Sequence, residues 1–124
     1  MTVIKLDDLV GVWRLHEVTA AAPDGTVARP YGPDPRGLLF YTAGGFVSAT
    51  IEPVEGRAMV AYAGRVRIIG TQVLHDVEAG TPGYPTGSTQ TRDARFEENG
   101  HLVLAAEHAH TPGTIVTLTW HRAS

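Results

Sequence analysis

The sequence contains no cysteine. That single absence excludes disulfide staples, thiolate zinc sites, iron–sulfur clusters and a cysteine nucleophile. It also lacks any run of Lys and Arg, and ten basic residues against thirteen acidic ones give a formal charge of -3. The electrostatic footprint of a nucleic-acid binder is therefore missing. No apolar stretch approaches the length of a membrane span, and Lys5, Asp7 and Asp8 interrupt the first ten residues, so neither a membrane nor a secretory leader is expected and the cytoplasm is the expected location. There is no Gly-x-Ser-x-Gly, and Gly44-Gly45 is too short to cradle a phosphate and precedes no helix. No cofactor is expected. His108 and His110 share a strand parity that invites a metal, but no carboxylate follows them and Thr111-Pro112-Gly113 breaks the chain there, so no metal site is assigned.

What is present is a chain of 124 residues, 43% of them hydrophobic, enough for one packed domain spanning residues 1–124 and too few for two. Fourteen glycines and eight prolines are spread in clusters that punctuate it. Between them lie eight short runs rich in β-branched and aromatic residues: Val12–Ala21, Gly37–Thr42, Phe46–Ile51, Val60–Ile69, Gln72–Ala79, Ser88–Phe96, His101–Glu107 and Thr114–Arg122. Short joints such as Ala43-Gly44-Gly45, Gly70-Thr71 and Glu98-Asn99-Gly100 carry hairpin chemistry, so neighbouring strands should pair antiparallel. Only Ile4–Gly11 reads as a short N-terminal helix or turn. Eight strands in so small a domain satisfy their edges most simply by closing into an all-β, up-and-down barrel; a two-sheet sandwich is the alternative.

Side chains alternate across a strand, so parity assigns an interior. In the fourth run Arg65 and Arg67 belong in solvent, which sends Tyr62, Gly64, Val66 and Ile68 inward; in the fifth, Val73, His75 and Val77 go inward. The first run places Trp13, Leu15, Glu17 and Thr19 on one face, and Leu39 and Tyr41 match it on the second. Gln90, Arg92, Ala94 and Phe96 are in phase, as are Leu102, Leu104 and Ala106, and Val116, Leu118, Trp120 and Arg122. The resulting interior is apolar with a few polar groups, the make-up of a small-molecule pocket. Within it Glu17 and His75 are a candidate general base and acid, and Tyr41 and Tyr62 candidate donors to a ligand carbonyl or enolate. Arg92 suits a carboxylate. Trp13, Leu15, Leu39, Tyr41, Val66, Val73, Gln90, Arg92, Leu104, Leu118 and Trp120 are the expected ligand contacts.

Gly11-Val12-Trp13 on the first strand, with Arg122 after Trp120 on the last, resembles the Gly-x-Trp and C-terminal Arg pairing of lipocalins and related calycin barrels. With Leu9–Leu15, Pro30–Gly37, Leu39–Thr42, Tyr62-Ala63-Gly64 and Val73–Glu78, the chain resembles the bacterial lipocalin-like domain family. The resemblance implies a calycin-like barrel whose Trp closes the floor beneath the Arg. It also implies either a carrier or sensor of a small hydrophobic ligand, or a cofactor-free cyclase or isomerase acting on a polyketide-like or terpenoid-like intermediate. The second is the leading expectation, with Glu17, His75 and Tyr62 as catalytic residues. The Pro-rich loop Pro30–Pro35 is a candidate lid across the mouth. A homodimer is compatible with so small a barrel but is written in no motif.

Overall fold

The computed structural model describes residues 3–108 and 111–124. A short helix, α1 (Leu6–Leu9), precedes nine strands: β1 (Gly11–Ala21), β2 (Val27–Ala28), β3 (Gly37–Tyr41), β4 (Phe46–Ile51), β5 (Val60–Ile69), β6 (Gln72–Gly80), β7 (Thr89–Phe96), β8 (Leu102–Glu107) and β9 (Ile115–Arg122). Each of β3 to β8 pairs antiparallel with the next, β1 pairs with β3, and β1 pairs with β9 along its length, so eight strands close on themselves. The barrel reading holds over the sandwich. The two-residue β2 lies outside the ring and extends the end of β1 as a flap, with Ala20 opposite Ala28 and Ala21 opposite Val27.

Parity holds in most of the wall. On β3 Leu39 and Tyr41 are buried while Leu38 and Phe40 are exposed, and on β5 and β6 Tyr62, Val73, His75 and Val77 point inward as the alternation requires. It fails on β1. A β-bulge between Leu15 and Glu17 inserts His16 as an extra residue against β9, so Leu15 faces Trp120 but Glu17 faces Thr119. Beyond the bulge the faces exchange: Val18 is buried, and Glu17 and Thr19 leave the interior side. A second bulge between Ala63 and Gly64 lets β6 press against β5 so closely that a Cβ at Gly64 would collide with the Asp76 carbonyl oxygen. Only glycine fits there.

The floor is built from the Gly-x-Trp segment and the chain ends. Trp13 is buried, its indole Nε1 donates to the Leu9 carbonyl at 2.8 Å, and the Arg122 guanidinium sits 4.2 Å from its ring centroid. Arg122 also donates from its two terminal nitrogens to the Val10 and Asp8 carbonyls at 2.9 and 3.0 Å. These are carbonyls at the end of α1 that the helix itself leaves unpaired. Gly11 is required here: its φ is +136°, and a Cβ would lie 2.6 Å from Arg122 and from the Ser124 carbonyl oxygen. Ile4 and Leu9 plug the floor from outside, with the Ile4 N–H bonded to Gly70 in the β5–β6 turn. Truncating Trp13 to Ala removes both the largest floor side chain and the donor for Leu9. We expect a loss of about 3–5 kcal/mol in denaturant unfolding; a near-neutral result would remove Trp13 from this role.

Candidate functional site

Above the floor the barrel encloses a cavity of about 360 Å³, at the small end of the range for ligand pockets. Its wall is mostly aliphatic, from Val18, Leu39, Ile51, Val60, Leu104 and Leu118 among others, with Trp120 below. Polar groups enter from one side. His75 and Tyr62, on the paired strands β6 and β5, border the cavity together with Gln90 and Arg92 of β7.

At the centre of this wall His75 is held between two tyrosines. The Tyr41 hydroxyl lies 2.7 Å from Nε2 and the Tyr62 hydroxyl 2.6 Å from Nδ1. Burial, reinforced by the cation of Arg92, lowers the imidazole from its ordinary 6.5 to about 3. Burial likewise pushes Tyr62 up to about 12 and Tyr41 well above the usual tyrosine range. At neutral pH all three groups are uncharged, and a neutral imidazole has one donor and one acceptor nitrogen. Counting protons then assigns the direction of the chain. Tyr41 is buried and has Nε2 as its one hydrogen-bond partner among the described residues, so its proton must go there or be stranded. Nδ1 therefore carries the N–H and donates to the Tyr62 oxygen. The Tyr62 proton is left for the cavity that Tyr62 borders.

Two loops close over this site with aromatic rings that strand periodicity does not reach. Tyr84, in the β6–β7 loop, stacks on Tyr62 with centroids 5.0 Å apart and 26° between planes. Tyr31, in the Pro-rich loop, lies under the Arg57 guanidinium at 5.6 Å, and Tyr31, Arg57 and Tyr84 all border the cavity. The signal for them was an isolated aromatic inside Pro30-Tyr31-Gly32 and Gly83-Tyr84-Pro85.

Of the expected site residues, the structure brings His75, Tyr62, Leu39, Gln90, Arg92, Leu104, Leu118 and Trp120 to the cavity. Tyr41 reaches it only through His75. Trp13, Leu15 and Val73 are buried and Val66 is packed against them in the core, without bordering the cavity. Glu17 is a correction. The bulge turns it off the interior face, where it pairs with Arg29 at 2.8 Å with 35% of its side chain exposed, so the expected carboxylate and imidazole pair does not form. Of the two histidines weighed as metal ligands, His108 borders the cavity and His110 lies outside the described residues. Among the described residues no group of three or more His, Asp or Glu is placed to hold a metal.

A closed eight-stranded barrel with a plugged floor and a small, largely apolar lumen is the lipocalin-like fold. The comparisons agree: the model of the lipocalin-like domain family matches residues 10–59. The crystal structure of a lipocalin-like protein from Bacteroides uniformis superposes with a TM-score of 0.53 at 20% identity, covering 90% of this chain and 96% of that one. No curated protein sequence matches. Among the described residues no helix is long and apolar enough to cross a membrane.

Two outcomes follow from this geometry. The folded His75 value lies below the ordinary one, so unfolding takes up a proton between about pH 6.5 and 3. Stability contributed by His75 is whole above that window and declines as pH falls through it, by at most about 1.4 kcal/mol per pH unit. Asp76, held down to about 2 by Arg67, adds its own loss only below its ordinary value of 3.8. Urea titrations between pH 7 and 4 should show the decline while the His75 ring resonances stay fixed; a His75 resonance titrating near 6.5 would contradict the buried neutral imidazole. Glu17→Gln should change stability by less than about 1 kcal/mol, because its pair with Arg29 is solvated, and should leave lumen binding untouched; a loss of binding in calorimetric titration would return Glu17 to the site.

Proposed function

We propose that this barrel binds one small, largely apolar molecule through a carbonyl-type oxygen, and that it promotes a cofactor-free cyclisation or isomerisation of that molecule by polarising the carbonyl. The observation that carries the reading is the buried chain from Tyr41 through His75 to Tyr62, with Tyr62 bordering an apolar cavity; the proton count leaves its hydroxyl to donate there. A carrier needs only a greasy lumen with polar groups at its mouth. Three neutral, interlinked polar side chains buried within the wall are costly unless satisfied, and here they form a preorganised donor.

The chain acts as an electrophile. Neither a phenol near 12 nor an imidazole near 3 exchanges its proton readily at neutral pH, so Tyr62 stabilises a developing oxyanion by hydrogen bonding, with His75 Nδ1–H strengthening its donation. With Glu17 outside, the one carboxylate that borders the cavity among the described residues is Glu107, which is exposed and accepts from the Gly113 N–H, so it is not a base enclosed in the wall beside Tyr62. The reaction that fits is one in which the substrate carries its own nucleophile. Addition of a substrate hydroxyl to a conjugated enone is such a case. The C–O bond forms at the β-carbon, the electrons pass to the carbonyl oxygen held by Tyr62, and the hydroxyl proton ends on the α-carbon. The product is an isomer. Confinement in a cavity this small supplies the reactive conformer.

The ketone 1-tetralone is a suitable probe. We expect saturable 1:1 binding, a carbonyl infrared stretch shifted to lower frequency in the complex, and loss of that shift in Tyr62→Phe with affinity lowered about 3- to 10-fold. Ala106→Trp, which fills the lumen, should abolish binding. Binding with an unshifted carbonyl would leave a carrier; no binding at all would overturn the reading.

A further inference from the structure

Strands β5 and β7 carry the arginines Arg65, Arg67, Arg92 and Arg95, and all but one behave alike. Arg65, Arg67 and Arg95 are exposed on the outer face, where each pairs with a carboxylate, Glu78, Asp76 and Glu97 in turn. Arg92 is the exception. It is half-buried on the inner face, opposite Val73 of β6 and in phase with Ala94, both of them buried, and it borders the lumen. Among the described residues no carboxylate lies within 4.0 Å of it. Its guanidinium donates to the Thr91 carbonyl at 3.0 Å and, over a long 3.4 Å, to Gln90 Oε1, so most of its N–H groups are left over. Gln90 in turn pairs with His75 across the β6–β7 ladder. Burial first and the Arg92 cation second lower the His75 imidazole, which puts the guanidinium within electrostatic reach of the chain that ends at Tyr62. The buried Trp120 indole N–H also lacks a partner among the described residues, but it is enclosed by protein and out of a ligand's reach.

We propose that Arg92 receives a ligand carboxylate, and that the natural ligand is an apolar oxo acid whose carbonyl meets Tyr62 while its carboxylate meets the Arg92 guanidinium. This rests on the lumen-binding reading above and specifies its ligand class. A planar guanidinium matches a carboxylate edge to edge, and the pair is strongest where water is scarce. A neutral guest leaves the half-buried cation without a counter-charge, and a cationic guest is repelled, so the wall discriminates by charge. The distribution of charge over the molecule supports the same sign. The chain is acidic overall, at -3, yet its cavity is bordered by two guanidiniums, Arg57 at the mouth and Arg92 within, against the exposed carboxylate of Glu107 among the described residues. That local excess of positive charge draws an anion inward. A guest held at both Tyr62 and Arg92 also takes one orientation in the cavity, which an aliphatic wall alone does not impose.

Three probes on one skeleton separate charge from shape: 1-tetralone, 1-tetralone-4-carboxylate, and the uncharged 1-tetralone-4-carboxamide, which is nearly the size of the acid. Calorimetric titration of the wild-type protein at neutral pH should show the carboxylate binding about 10- to 100-fold tighter than the carboxamide. In Arg92→Gln that ratio should fall to within about 3-fold, whereas Arg92→Lys should keep part of it, because an ammonium supplies the charge without the planar fork. The wild-type comparison needs no variant and stands even if Arg92→Gln fails to fold. Equal affinities of carboxylate and carboxamide in the wild-type protein, or a ratio that Arg57→Gln removes and Arg92→Gln leaves in place, would overturn the carboxylate site while 1-tetralone binding kept the lumen reading intact. Failure of 1-tetralone to bind would instead bring down the lumen reading itself.

Discussion

The Arg122 guanidinium, lying over Trp13 and bonded to two carbonyls of the N-terminal segment, joins the first and last strands to the short helix α1. A helix of four residues cannot stabilise itself. It persists because the carbonyls at its end are received by Arg122 and by the Trp13 indole, both belonging to the barrel. In return the helix seats Leu9 and Ile4 under the floor. Closure of β1 against β9 and sealing of one end are thus the same event. The lumen exists because its bottom is sealed by these contacts, while the loops carrying Tyr31 and Tyr84 cover the other end.

The sealed end sets the electrostatics above it. Water kept from one side of the barrel leaves a low-dielectric wall in which His75 is neutral and both tyrosines keep their protons. Charge is confined to Arg92 and to the mouth, where Arg57 meets Tyr31. The interior that results is a field of fixed dipoles, suited to holding or polarising a carbonyl and unsuited to abstracting a proton.

Much of this was legible in the sequence because the physics concerned is local. Hairpin turns at Gly45, Gly70 and Gly100, and alternation along Phe46–Ile51 and Val60–Ile69, located the strands to within about a residue, and the Gly-x-Trp and terminal Arg pattern located the floor. His75, Tyr62 and Arg92 followed from parity on strands without irregularities in their pairing at those positions. Glu17 did not, because the bulge at His16 is a property of how β1 meets β9, and nothing in the residues from Trp13 to Thr19 announces it. Tyr31 and Tyr84 escaped because loops have no period. The unpaired Trp120 indole was invisible for another reason: a tryptophan near either end of such a chain reads as floor or core, and only the positions of its neighbours show that no acceptor among the described residues reaches it.

The extra residue in β1 has a consequence beyond its own strand. Leu15 and Glu17 stand opposite the adjacent residues Trp120 and Thr119, so deleting His16 would simply straighten the strand, with Glu17 still outside on Arg29 and Val18 still inside. Plain alternation through all the residues from Leu15 onward would instead have carried the Glu17 carboxylate into the chamber and expelled Val18. The one surplus residue thus lets the strand absorb a change of length while keeping an internal base out of the vessel, a safeguard that comparisons of matched side chains alone would not detect.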